Sequence, residues 1–280
     1  MKKYFLTILL ALQTHLFVYG QEDKLFGRWI TPVSDFMLIN KPKNKVILTD
    51  FSVLSEYKEG WTKLRYDLTL IYRNCSNDTL RFYRTLYSYP DQWETENYDF
   101  KIILQNDTSI TLIPVTFFSK KLFQNKDTLS FIRQENAITE IHFQKLSFYF
   151  NGYFRESGRN QQIIFRANIL QIDSVGNVYM QKETLINDSY VAKYLKGTLK
   201  RSLFKEMVNL LQTCNLETLD WGNNRYTDTF EQIIVVNYNN KKKELKSGVP
   251  SPISQPLIDF LMNMEKQAKL KETKDKISLE

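Results

Sequence analysis

Short apolar runs of strand length dominate residues 24–134, and polar turn residues separate them. Phe36–Ile39 and Lys45–Thr49 are brief runs bounded by Asn, Lys and Pro. Tyr66–Tyr72 mixes alternation with aromatic residues. Leu80–Tyr87, Tyr98–Leu104, Ile110–Phe118 and Thr128–Arg133 continue the series. Runs of five to eight residues rich in Ile, Val, Thr, Phe and Tyr predict strands. Asn77-Asp78-Thr79, Asn106-Asp107-Thr108 and Lys126-Asp127-Thr128 recur between or before them. Asn and Asp tolerate left-handed backbone and bond their own main chain, so these triplets predict hairpin turns. Many short strands in so little chain predict a small antiparallel barrel or sandwich. Ser88 to Asn97 is a long polar insert in this pattern, expected as a solvated loop.

After residue 135 the period changes. Ile138–Phe143 begins a strand, and Gln162–Ile172 and Asn177–Met180 flank a turn at Asp173-Ser174-Val175-Gly176. Leu203, Met207, Leu210, Leu211 and Cys214 then repeat at helical spacing, with Ser202 as the expected cap. Gln232–Tyr238 and Glu244–Ser247 surround Asn239-Asn240. Ser254 and Pro256 open a last helix carrying Leu257, Leu261, Met264 and Ala268. Strands interleaved with two helices in this order predict an antiparallel sheet with the helices on one face. The expected fold class is therefore β plus α+β. Its divisions are 21–135 for the barrel, 136–268 for the α+β domain and 269–280 for a charged tail.

The first half resembles lipocalin-like domains. Leu25-Phe26-Gly27-Arg28-Trp29 is similar to their opening L-x-G-x-W. Asp99–Leu104, the Asn-Asp-Thr turn and Ile110-Thr111-Leu112 are similar to their late hairpin. Thr128–Arg133 is similar to their closing strand. The resemblance implies a small antiparallel barrel with an apolar interior, with or without a ligand, and Trp29 plugging its bottom as core. The second half resembles an uncharacterised bacterial extracytoplasmic domain of the Cys-x-Gly-x-Cys-Pro type. Asp173–Tyr179, Arg225-Tyr226-Thr227-Asp228 before Gln232–Val236, and Gly248-Val249-Pro250 carry that likeness. The Cys-Pro element itself is missing, because Phe143 to Phe165 holds neither Cys nor Pro. This second resemblance implies a fold and no activity.

The N-terminus sets a compartment. Lys2 and Lys3 precede an apolar stretch from Tyr4 that resumes at Leu16, and Val18-Tyr19-Gly20 precedes a polar Gln21-Glu22-Asp23. Residues 1–20 read as a secretory signal, too short and broken for a comfortable span. The expectation is a periplasmic or extracellular bacterial protein without stable transmembrane insertion. Loss of the signal lowers the formal charge from +7 to +5 and leaves His142 as the one histidine. A net excess this small, spread over Lys241–Lys246 and an alternating tail, predicts no nucleic-acid partner.

The chemistry-bearing residues are few. A lone His142 in a strand, two cysteines and no Gly-rich phosphate loop point to no catalytic residues, no metal and no cofactor. Cys75 and Cys214 could close a bridge that constrains the unfolded chain by up to about 5 kcal/mol. Their different surroundings, a turn and a helix stripe, favour two thiols instead. Glu94, Glu96 and Asp99 lie near Trp93 and Tyr98 and suggest a carboxylate-dependent glycan hydrolase as the alternative function. The first expectation is a non-catalytic binding or interaction module of the envelope. Its surface would be the densest aromatic cluster, Phe148, Tyr149, Phe150, Tyr153 and Phe154. Its partner would be an envelope protein, a glycan or a small apolar ligand.

Overall fold

A computed structural model describes residues 24–42, 46–56, 63–76, 78–88, 92–155, 163–186, 189–222 and 231–274. The expected signal segment, residues 1–20, lies outside the described residues. The chain divides into two compact units, residues 1–53 with 66–136 and residues 54–65 with 137–280.

Eight strands close the barrel: β1 (Gly27–Ile30), β2 (Phe36–Ile39), β3 (Ile47–Glu56), β4 (Lys63–Ser76), β5 (Thr79–Ser88), β6 (Gln92–Gln105), β7 (Ser109–Pro114) and β8 (Leu129–Arg133). They hydrogen-bond in chain order, and β1 returns to β8 through Trp29–Arg133 and Ile30–Ile132. An eight-stranded barrel is just wide enough for side chains to fill it. Here the filling is aromatic. Phe51, Phe82, Phe100, Phe123 and Phe131 are all buried, and Phe51 meets Phe82, Phe100 and Phe123 at ring-centroid distances of 5.6, 6.0 and 6.0 Å.

Both ends carry a plug. At the end of the β6–β7 turn, Trp29 is fully buried and donates its indole N–H to the Leu25 carbonyl at 2.9 Å. The Arg133 guanidinium lies over the Trp29 ring at 4.4 Å and donates to the carbonyls of Phe26, Lys24 and Asp107. Gly27 has φ +133°, and a Cβ there would stand 2.6 Å from the Arg133 guanidinium, so only glycine admits this latch. At the opposite end the β7–β8 connection forms helix α1 (Phe117–Leu122). Leu122 and Phe123 drop from it into the core. Thr116 fastens the helix to β6: its hydroxyl donates to the Asn97 carbonyl at 2.8 Å and accepts from the Asp99 amide at 3.1 Å. Ile110–Phe118, expected as one strand, is thus a strand ending at Pro114 followed by a helix. Lys126-Asp127-Thr128, expected as a hairpin turn, instead leads from this helix into β8.

The second unit is a seven-stranded antiparallel sheet in the order β14-β13-β9-β10-β11-β12-β15. Its strands are β9 (Phe143–Arg155), β10 (Ile163–Asp173), β11 (Asn177–Ile186), β12 (Ser189–Thr198), β13 (Glu231–Tyr238), β14 (Lys241–Ser247) and β15 (Lys271–Thr273). The hairpins use the expected residues. Asn239 and Asn240 both have positive φ between Tyr238 and Lys241, and Asp173 accepts from the amides of Val175 and Asn177. Leu146, Phe148, Leu170, Ile172, Ile234 and Val236 share the buried face. Helix α2 (Arg201–Thr213) contributes Met207, Leu211 and, at its end, Cys214 to the buried set. Its Phe204 ring meets Phe143 edge-on at 5.7 Å. Helix α3 (Gln255–Met262) adds Leu257, Ile258, Phe260 and Leu261, and a break at Asn263 separates it from α4 (Met264–Ala268). Ser202 is not the cap of α2; that position is Lys200, with no side-chain bond. Within the charged segment after residue 268, Lys271–Thr273 pair with β12.

Candidate binding surface

The expected aromatic surface is divided between two faces of one strand. Strand β9 lies inside the sheet, between β13 and β10, so successive side chains point to opposite faces. Phe148 and Phe150 point to the covered face and are only 2% and 5% exposed. They are core, and an exposed platform that includes them is ruled out. Tyr149 points the other way, is half-buried, and its hydroxyl accepts from the Asn151 side chain at 2.7 Å. Tyr153 and Phe154 pair in register with Phe165 and Ile164; their side chains lie outside the described residues.

The carboxylates are also placed differently from expectation. Glu94, Glu96 and Asp99 lie on strand β6 and not in a loop. Glu94 and Glu96 share the side of the strand that continues inward through Tyr98 and Phe100, whereas Asp99 is on the outer side. Arg84, opposite Glu96 in register, donates to its carboxylate, and the Tyr98 hydroxyl donates at 2.7 Å. Burial opposes ionisation of Glu96. Hydrogen bonds from Arg84 and Tyr98, with the charges of Arg84 and Lys121, outweigh it and hold the carboxyl below its ordinary range. A general acid for glycoside hydrolysis needs the reverse shift. Asp99 faces Arg81 at 3.7 Å on the opposite side. These three acids therefore form no opposed pair across a cleft.

The same two strands carry a different feature. The described register of β5 with β4 runs to Ile71–Tyr83, and that of β6 with β7 begins at Phe100–Pro114. The β5–β6 pairing continues well past both, to Ser88–Gln92. β5 and β6 thus continue as a paired ribbon past the point where β7 ends and α1 begins. On its outer side, register pairs run Tyr87–Trp93, Thr85–Thr95, Tyr83–Asn97 and Arg81–Asp99. Trp93 is 70% exposed and Tyr87 57%, and their rings meet edge-to-face at 5.1 Å. Two rungs below, the Arg73 guanidinium lies 5.2 Å over the Tyr83 ring. Tyr87, Tyr83 and Arg73 were not among the expected site residues. The pair follows from the β5–β6 register, which sets Tyr87 opposite Trp93 and which aromatic density along the chain does not report.

Neither Cys75 nor Cys214 forms a disulfide. Cys214 is buried with its sulfur 3.9 Å from the Ile253 carbonyl, and Cys75 packs partly against the barrel core. His142 is exposed, 3.9 Å from the equally exposed Glu140. Among the described residues, no cluster of three or more His, Cys, Asp or Glu could hold a metal ion. Among them too, no helix is long and apolar enough to cross a membrane.

No protein-family model and no curated protein sequence matches the chain.

Proposed function

We propose that this chain is a non-catalytic binding module of the bacterial envelope, exported by residues 1–20, with a lipocalin-like first unit. The observation that carries the binding reading is the exposed Tyr87–Trp93 pair on the outer side of the β5–β6 ribbon. Large aromatics left in water cost free energy unless a partner covers them, and Trp and Tyr are the side chains that dominate binding hot spots. The barrel interior gives no comparable support. Five interlocked phenylalanines occupy it and a plug closes each end, so recognition takes place on the outside. Glu96 serves the ribbon itself, tying β5 to β6 through Arg84.

Affinity capture from an envelope extract with the mature chain tests this reading. The wild-type protein should retain a defined component that the Tyr87→Ser/Trp93→Ser double variant loses while remaining folded. Identical captured sets from the two proteins refute it.

A further inference from the structure

Resting on that reading of the ribbon as a binding surface, we infer that its outer side is a site for a neutral glycan. Three kinds of partner would leave different marks on such a surface. An apolar protein partner needs a contiguous greasy patch, but the aromatic rungs here are separated by Thr85 and Thr95. An anionic polymer or lipid surface needs several free cations. On this strip the charges are nearly balanced: Arg81 faces Asp99 at 3.7 Å, and Arg73 is stacked on Tyr83. An uncharged sugar chain needs aromatic faces for its C–H surfaces and neutral hydrogen-bonding groups beside them for its hydroxyls. The ribbon presents that set in order. The Tyr87–Trp93 pair comes first, the threonine pair next, then Tyr83 with Asn97.

The spacing supports an extended ligand. Residues two apart along one side of a strand are about 7 Å apart, so Tyr83 and Tyr87 stand about 14 Å from one another. One hydroxyl rung lies between them. A chain of sugars laid along β5 from the Tyr87–Trp93 rings would also reach the threonine rung, the Tyr83 hydroxyl and Asn97, whereas a single monosaccharide would reach one rung. The strip is also held stiff, because the Arg84–Glu96 pair and the Tyr98 hydroxyl bond lock the reverse side of the same two strands. Binding would then require little ordering of the protein, which favours affinity.

The test is binding to an array of neutral hexose and N-acetylhexosamine oligomers, run beside dextran sulfate and vesicles of mixed zwitterionic and anionic phospholipid. The wild-type chain should bind at least one neutral oligomer, more tightly as the oligomer lengthens. Trp93→Ala should weaken that binding at least ten-fold, and Trp93→Phe should retain most of it. Since Trp93 is 70% exposed, the thermal midpoint of Trp93→Ala should match wild type, which separates lost binding from lost folding. No binding to any neutral oligomer, binding unchanged in Trp93→Ala, or binding only to dextran sulfate or vesicles overturns the inference. If envelope capture still depends on Tyr87 and Trp93 after such a result, the glycan assignment fails and the binding surface stands.

Discussion

Replacement of Phe123 by alanine is the sharpest probe of how the barrel is sealed. Phe123 follows α1, is completely buried, and meets Phe51, Phe100 and Phe131 at 6.0, 5.9 and 6.0 Å, each edge-to-face. Truncation removes the transfer free energy of a full aromatic side chain and leaves a cavity among rings that cannot collapse without leaving their rotamers. Such substitutions cost about 3–5 kcal/mol. The upper half of that range applies here, because three favourable ring contacts are lost together. Phe123→Leu keeps most of the apolar volume and should cost only about 1–1.5 kcal/mol. Urea titration read by hydrogen exchange of β6 and β7 peptides reports on the barrel alone. With a urea slope of about 2 kcal/mol per molar, the alanine variant should shift the midpoint down by about 2 M. A loss under about 1 kcal/mol would refute the sealed interior, since it would mean that neighbouring groups or water already fill the site.

Two further predictions concern the opposite plug and the ribbon. Arg133→Ala should destabilise the barrel by about 2–3 kcal/mol by the same assay, since three carbonyls lose a charged donor. Arg133→Lys should recover less than half of that, because an ammonium cannot reproduce the planar fork over Trp29. For Glu96, the folded carboxyl titrates below its ordinary value of 4.5. Its contribution is therefore present above that value and lost as pH falls through the folded one. The stability gap between wild type and Glu96→Gln should be constant above about pH 5.5 and shrink in acid. A gap that widens in acid would show the opposite sign of shift.

The architecture was legible wherever local chemistry and tertiary packing agree. Asn239-Asn240 and Asp173–Gly176 demanded turns by backbone preference alone, and the period of α2 followed from its apolar stripe. Helix α1 was not legible. Its six residues carry two adjacent phenylalanines and no capping side-chain bond, so nothing local distinguishes it from a strand. It forms because Thr116, itself held by the Ser119 hydroxyl, anchors it to β6 and because Phe123 has a hole to fill. Aromatic density along the chain cannot say which face a strand buries, and in β9 Phe148 and Phe150 lie in the core. At Tyr87 and Trp93 the informative quantity was cross-strand register and not either residue's neighbours in sequence.

The unequal strand lengths of the barrel have a consequence for how this protein can change. Tyr87 and Trp93 project from a stretch that contributes no buried side chain to the core, while β1, β2, β7 and β8 stop short of it. Substitutions on the outer rungs are thus nearly free of folding cost. Selection on what the ribbon recognises can proceed without selection on whether the barrel forms. Related barrels should then diverge fastest at Thr85, Tyr87, Trp93 and Thr95 while keeping the phenylalanines below them.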